Sequence, residues 1–331
     1  MRARFRFPFA LAALAAGWLA LPAQAATLTA GAGGINVRNT ASVKRAVKQL
    51  IATGSVPAAW TGNVSAGNAG AVSAAYQTAT LKGVNIVRKL AGLAPVVFDT
   101  DLGAKCAQAA LMMSANNQLS HDPPPTWTFY SAAGAEAAGH SNLFLGFAGP
   151  FTIPGYIDDS GAGNEPVGHR RWILWSQSRT MGSGNVLDGG GFHAANALWV
   201  LPTGATPPPS TRDGFVAWPY AGVIPNTLVF QRWSFAVPFA DVSGATVKVR
   251  LGAKKIAVKI IDKTSVGFGD NTIVFQPRQT YTAAKFGTFL YQAHLKAPRR
   301  PVTYTVTVAN VKSSTGRTQT FKYRVKVFPM E

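Results

Sequence analysis

Apolar positions along the chain follow two regimes, a three-to-four-residue period up to about residue 203 and a strict alternation beyond it. Leu81, Val84, Val87, Leu90 and Ala91 recur at helical spacing, and Gly92 followed by Pro95 supplies a stop. A second helix is predicted from Thr100 as N-cap, with Asp101 in its first turn, to about Asn116. Leu102, Cys106, Ala109 and Met113 mark one face of it. Upstream, Val43, Val47, Leu50 and Ile51 form a short helical stripe ended by Gly54, within an Ala/Gly-rich stretch read as otherwise loosely ordered. The run Ala-Asn-Ala-Leu-Trp-Val-Leu over 195–201 reads as a buried strand, and Gly182-Ser183-Gly184 as a turn.

After Pro207-Pro208-Pro209-Ser210 the period becomes two. Val247, Val249 and Leu251 alternate with Lys248 and Arg250; Val302, Tyr304, Val306 and Val308 alternate with threonines; Phe321, Tyr323, Val325 and Val327 alternate with Lys322, Arg324 and Lys326. Strands with one wet face and no helix between them predict a small antiparallel β-sandwich. The chain therefore divides into a leader over 26–74 with one short helix, a mixed α/β block over 75–203, and an all-β block over 206–331.

Residues 1–25 differ from all of these. Arg2, Arg4 and Arg6 precede an apolar run from Phe7 to Leu21, and Ala23-Gln24-Ala25 offers a small-x-small cleavage site. That is the pattern of a secretory signal peptide. The run is shorter than the ~20 residues a membrane-spanning helix needs, and no later segment is long and apolar enough to span. The expected location is secreted or periplasmic.

Composition narrows the classes. With 47% hydrophobic and 14% charged residues among 331, the chain can bury a core, which excludes wholesale disorder. One cysteine excludes an intramolecular disulfide scaffold, and Cys106 reads as a small buried hydrophobe. The net charge of +19 is unevenly distributed: residues 26–74 carry +4, 75–203 carry −1 and 206–331 carry +13. Four of five histidines lie in the nearly neutral middle block. Chemistry is expected there, and anion attraction in the terminal block.

The middle block has no phosphate loop, dinucleotide fingerprint, His-Glu-x-x-His or nucleophile elbow. What it has is a spaced set of segments: Leu119-Ser120-His121, Ala138-Gly139-His140-Ser141-Asn142-Leu143, Tyr156-Ile157-Asp158-Asp159 and Val167-Gly168-His169-Arg170-Arg171-Trp172-Ile173-Leu174. In this order, and preceded by Asn85-x-x-Arg88 and Gly92-Leu93-Ala94-Pro95, they resemble the CAP superfamily of cysteine-rich secretory, antigen five and pathogenesis-related proteins, in its bacterial disulfide-free form. The resemblance covers roughly Gln77 to Pro202. It implies an α+β fold, a three-layer α-β-α sandwich followed by the β-sandwich, with a cleft walled by two histidines and two acidic residues.

Carried over by position, the cleft histidines are His121 and His169, one family glutamate falls on Ser141, and the other on Asp159. The chain thus keeps both imidazoles and at most one carboxylate. Two neutral imidazoles can ligate zinc or another divalent metal, but two ligands leave an open, weakly holding site completed by water. Asp159, Glu165 or His140 could add a third ligand. Alternatively, the two histidines hydrogen-bond across the cleft and orient its loops. Asp122 and Glu136 have no motif support, Arg170 and Arg171 read as loop-orienting donors, and Trp172, Trp199 and Trp218 as packing residues.

These readings make the chain primarily a binding module for a small ligand, lipid or divalent metal. A metal-dependent hydrolase with Asp159 as catalytic base is the first rival, and a structural envelope protein with a vestigial cleft the second. Lys248, Arg250, Lys322, Arg324 and Lys326 are the candidate anion-binding row, facing an envelope polymer or lipid headgroups, or simply a solvated face. Nucleic acid is not expected of an exported protein without an aromatic stacking motif.

Overall fold

The computed structural model describes residues 26–286 and 289–330; the signal peptide expected over 1–25 lies outside them. A five-stranded mixed sheet forms the centre of the first half, in the order β1-β2-β4-β5-β3. Its strands are β1 (Thr27–Leu28), β2 (Val97–Asp99), β3 (Ser141–Leu145), β4 (Thr180–Val186) and β5 (Ala195–Trp199). Only β2 and β4 run parallel.

Six helices flank it: α1 (Thr40–Thr53), α2 (Ala74–Leu90), α3 (Thr100–Asn116), α4 (Ala132–His140), α5 (Thr152–Asp158) and α6 (Gly168–Ile173). Alternation along β5 assigns the layers. Ala195, Ala197 and Trp199 pack with Cys106, Ala109, Met113 and Ala137 of α3 and α4. Leu198 points the other way, into a core shared with Leu50, Leu81, Val84, Ile153 and Ile173 of the remaining helices. The result is the α-β-α sandwich that was expected.

Helix boundaries follow local chemistry. Asn39 caps α1 by accepting from Ser42 N, worth about 1 kcal/mol. At α3 the cap is Asp99, which accepts from Asp101 N and Leu102 N, so the predicted Thr100 is already the first helical residue. The left-handed Asn117 ends α3, which places His121 in the following loop rather than on the helix. The expected turn at Gly182-Ser183-Gly184 is instead the buried middle of β4. A Cβ on Gly184 would lie 1.9 Å from Ala107 N, so these glycines let α3 lie directly on the strand.

The all-β half contains β6 (Val216–Trp218), β7 (Gly222–Pro225), β8 (Trp233–Ala236), β9 (Thr246–Leu251), β10 (Lys254–Ile256), β11 (Val258–Asp262), β12 (Thr272–Pro277), β13 (Tyr281–Phe286), β14 (Phe289–Leu295), β15 (Val302–Lys312) and β16 (Thr318–Phe328). They form one sheet of order β10-β9-β15-β16-β7, a second of order β11-β12-β8-β6, and the pair β13-β14. The sandwich is antiparallel except at its edge, where β16 and β7 run parallel.

Two sequence expectations change. The stretch 26–74 is docked rather than loose: β1 pairs with β2, α1 buries Val43, Val47 and Leu50 completely, and Val37 O accepts from Val223 N of β7. The boundary near residue 205 does not divide the core, because one apolar cluster runs from Leu50 and Leu81 through Trp218 and Phe235 to Val325. Arg170 donates to Arg232 O and Ser234 Oγ, and Arg171 to Ser265 O and Asp270 O, so both arginines tie the halves together.

Candidate functional site

The Asn85-x-x-Arg88 pair serves architecture. Asn85 Nδ2 donates to Ala30 O and Val96 O while its Oδ1 accepts from Val96 N. Arg88, fully buried, donates to the carbonyls of Ala94, Ile173, Trp175 and Ser178. It thereby holds the segment that follows α6. Burial pushes its guanidinium down to about 9, still cationic at neutral pH.

That frame brings His121 and His169 to one place. Both border two adjoining hollows of about 400 and 600 Å³, the smaller of them walled in part by the β-half. His121 Nδ1 lies 2.9 Å from Ala138 O of α4, so it carries the proton and donates to that carbonyl. His169, on the first turn of α6, places Nδ1 2.7 Å from Asp159 Oδ1. Its ring also stacks on Tyr156 at 5.5 Å, and its carbonyl accepts from Asn142 Nδ2. In both rings a fixed Nδ1 contact leaves Nε2 as the nitrogen available to a ligand, the arrangement by which outer groups set tautomer and orientation.

Asp159 borders the cleft, yet its side chain is only 1% exposed. Oδ1 is taken by His169, and Oδ2 accepts from Arg170 N at 3.3 Å. With both oxygens engaged and little of the side chain exposed, the Asp159 carboxylate is placed to orient the His169 imidazole. The left-handed backbone at Asp159, φ 50°, ends α5 and turns the side chain toward His169. Arg232 from the β-half fixes that turn by donating to the carbonyls of Asp159 and Asn164.

The other residues named from sequence separate. Ser141 lines the cleft floor, buried, with Oγ 3.6 Å from Cys106 Sγ. Burial pushes the Cys106 thiol up to about 12, so it is an inert hydrophobe as expected. His140 stacks on Trp199 and bonds Glu136 O, and Glu165 lies 3.7 Å from Arg232; neither turns toward the two imidazoles as a third ligand. Glu136 pairs with Lys105. Among the described residues no group of three His, Cys, Asp or Glu side chains could hold a metal ion. His121 and His169 alone supply fewer protein ligands than the three or four of an ordinary zinc site.

Sequence reasoning missed part of the cleft wall. Gly267 and Phe268, from the loop between β11 and β12, face His121 and His169 together with Asn164, Trp172 and Leu201. Phe268 covers Arg171 at 5.3 Å, and a Cβ on Gly168 would come within 2.9 Å of its ring. No local pattern announces a loop phenylalanine 99 positions after the histidine it accompanies.

Strand register aligns the five bases named from sequence. Arg250 and Arg324 flank Thr305, and Lys248 and Lys322 flank Thr307, on neighbouring strands β9, β15 and β16; Lys326 lies opposite Thr303. All five bases are exposed on one sheet face.

No helix among the described residues is long and apolar enough to cross a membrane. Comparison with curated proteins finds no match. Among solved structures, the crystal structure of CopC from Methylosinus trichosporium OB3b is similar at 15% identity, covering 35% of this chain and 91% of that chain with a TM-score of 0.22, and no argument rests on it. The family model described as CAP, the cysteine-rich secretory protein family, matches residues 81–201, which hold both imidazoles, and this segment of the chain is a CAP domain.

Proposed function

We propose that the chain is an exported binding protein whose two-histidine cleft takes a small ligand or a divalent cation, and whose basic sheet face holds it at an anionic surface. The observation that supports the first part is that His121 and His169 line the same hollow, each with its Nδ1 held, one by Ala138 O and the other by Asp159, which leaves Nε2 of each ring as the ligand nitrogen. When bound there, a divalent metal would supply Lewis acidity and a water of lowered pKa. His121 and His169 would hold it, and Asp159 would keep the His169 ring in place. The full cleft also admits an uncharged ligand, with Asn142, Asn164 and Trp172 as polar and ring contacts.

Calorimetry with Zn²⁺ on the full chain tests the metal reading. Wild type should give a binding heat that His121→Ala and His169→Ala each abolish. An unchanged heat in either variant rejects the shared site. A hydrolase reading draws on the buried Asp159 to His169 contact, which is the geometry of an oriented general base. It requires turnover of an ester or amide substrate that His169→Ala eliminates.

A further inference from the structure

The positive charge of the chain is not confined to the β-half. Lys322, Arg324, Lys326 and Phe328 share one face of β16 by parity, and Lys44 Nζ of α1 lies 5.8 Å from the centre of the Phe328 ring. Lys44, Arg45 and Lys48 are all exposed, and α1 contains no acidic residue. At spacings of three and four they share one helical surface. Lys44 of the 26–74 segment, far away in sequence, thus lies beside the C-terminal end of the strand that carries Lys322, Arg324 and Lys326.

At the opposite end Lys255 of β10 pairs directly with Arg250. The face therefore runs Lys255, Arg250, Thr305, Arg324 across four strands, with the row Lys248, Thr307, Lys322 on one side of it and the pair Thr303, Lys326 on the other. Strands are ~4.8 Å apart and same-face residues ~6.8 Å apart along each. A column of threonine hydroxyls is thus bordered on both sides by columns of cations.

Edge protection does not account for this. In the order β10-β9-β15-β16-β7 the edges are β10 and β7, whereas five of the six bases lie on interior strands. Like charges placed opposite each other, as Arg250 and Lys255 are, destabilise a sheet. An opposing chain of negative charge removes that cost. Among the described residues the large exposed apolar side chains are Leu119, Phe129, Tyr130, Phe239, Ile260 and Val266, none of them on this face, so it offers a bilayer nothing to insert and a nucleobase no ring to stack on. Threonine hydroxyls between the cations match a polymer that alternates anionic groups with hydroxyls.

We propose that the β10-β9-β15-β16 face, extended by Lys44, Arg45 and Lys48 of α1, is a docking track for a linear anionic polysaccharide. This rests on the reading that the basic face holds the protein at an anionic surface, and specifies what it holds. The probe is heparin, titrated against the full chain at 0.1 M NaCl. The triple variant Arg250→Ala, Lys322→Ala, Arg324→Ala should bind at least tenfold more weakly, with a shallower dependence of affinity on salt, because fewer counterions are released. Lys44→Ala with Lys48→Ala should lose severalfold. Lys82→Ala, Lys89→Ala, Lys263→Ala removes the same charge elsewhere and should stay within twofold of wild type.

The substituted side chains are exposed, or half-buried at Lys82 and Lys263, and matching thermal melts establish that the variants fold. Equal losses in the track and control variants would overturn the proposal. Parallel titrations use vesicles of one part phosphatidylglycerol to four of phosphatidylcholine, and a 20-base single-stranded DNA. Tighter binding to vesicles than to heparin would overturn the polysaccharide and leave the anionic-surface reading standing. Tighter binding to DNA would overturn the polysaccharide, and binding to no probe would end both readings.

Discussion

Two adjacent carboxylates at the end of α5 meet different fates. Asp159 finds an imidazole and a backbone N–H, whereas Asp158 is buried, 5% exposed, with Ser160 as its side-chain hydrogen-bond partner. Burial is the largest influence and raises the Asp158 carboxyl to about 6, against the opposing pull of Ser160 and of the Arg170 and Arg232 charges. A carboxyl whose folded pKa lies above its unfolded value of about 3.9 binds more protons when folded, so stability is lost as pH rises through the window between them. That rise corresponds to ~3 kcal/mol across roughly pH 4 to 6. Asp158→Asn removes the penalty. Urea unfolding should find the variant more stable than wild type at pH 7.5 and nearly equal to it at pH 4. A stability difference independent of pH would show that Asp158 does not titrate in this window.

At the scale of elements, α3 lies on β4 without side chains between them. The Cβ of alanine at position 184 would overlap the backbone of Ala107, which no rotamer change relieves. Overpacking a core ordinarily costs about 1–3 kcal/mol, and a backbone clash belongs at or above the top of that range. Gly184→Ala should therefore lower stability by ~3 kcal/mol or more in urea unfolding; a loss below ~1 kcal/mol would mean that the helix slides freely on the strand. The same contact explains why β4 was illegible. Glycines that serve close approach read locally as a turn, because the reason for them sits in another element. Where the burial pattern is periodic and local, the sequence was sufficient: α1, α2, α3, β5, β9, β15 and β16 all follow their predicted stripes. Phe268 and Lys44 carried no such signal, since their roles depend on which surfaces meet.

One apolar cluster joins the two regimes of periodicity, so the whole molecule is expected to unfold as one cooperative body. Charged groups cross the boundary in both directions. Asp270 of the β-half accepts from Ser176 N, Arg170 and Arg171 reach the loops and strands of the β-half, and Arg232 reaches back to the turn that aims Asp159. Removing residues 206–331 would leave the guanidinium groups of two largely buried arginines without their partners across the boundary and expose the apolar side of Leu50, Leu174 and Val200. Breaking a buried charged contact by deleting one side typically costs about 3–5 kcal/mol, and two such losses approach the whole stability of an ordinary domain. The 26–205 fragment should therefore fail to fold cooperatively, seen as loss of near-ultraviolet circular dichroism and of a sigmoidal melt. Because Arg232, Gly267 and Phe268 complete the cleft, the fragment should also lose any Zn²⁺ heat that the full chain shows. A fragment that melts sharply would restore the independent domain that the alternation of its sequence suggested. The shared core would then be a docking interface, and cleft and basic track could move separately instead of being held at fixed distance by one packed interior.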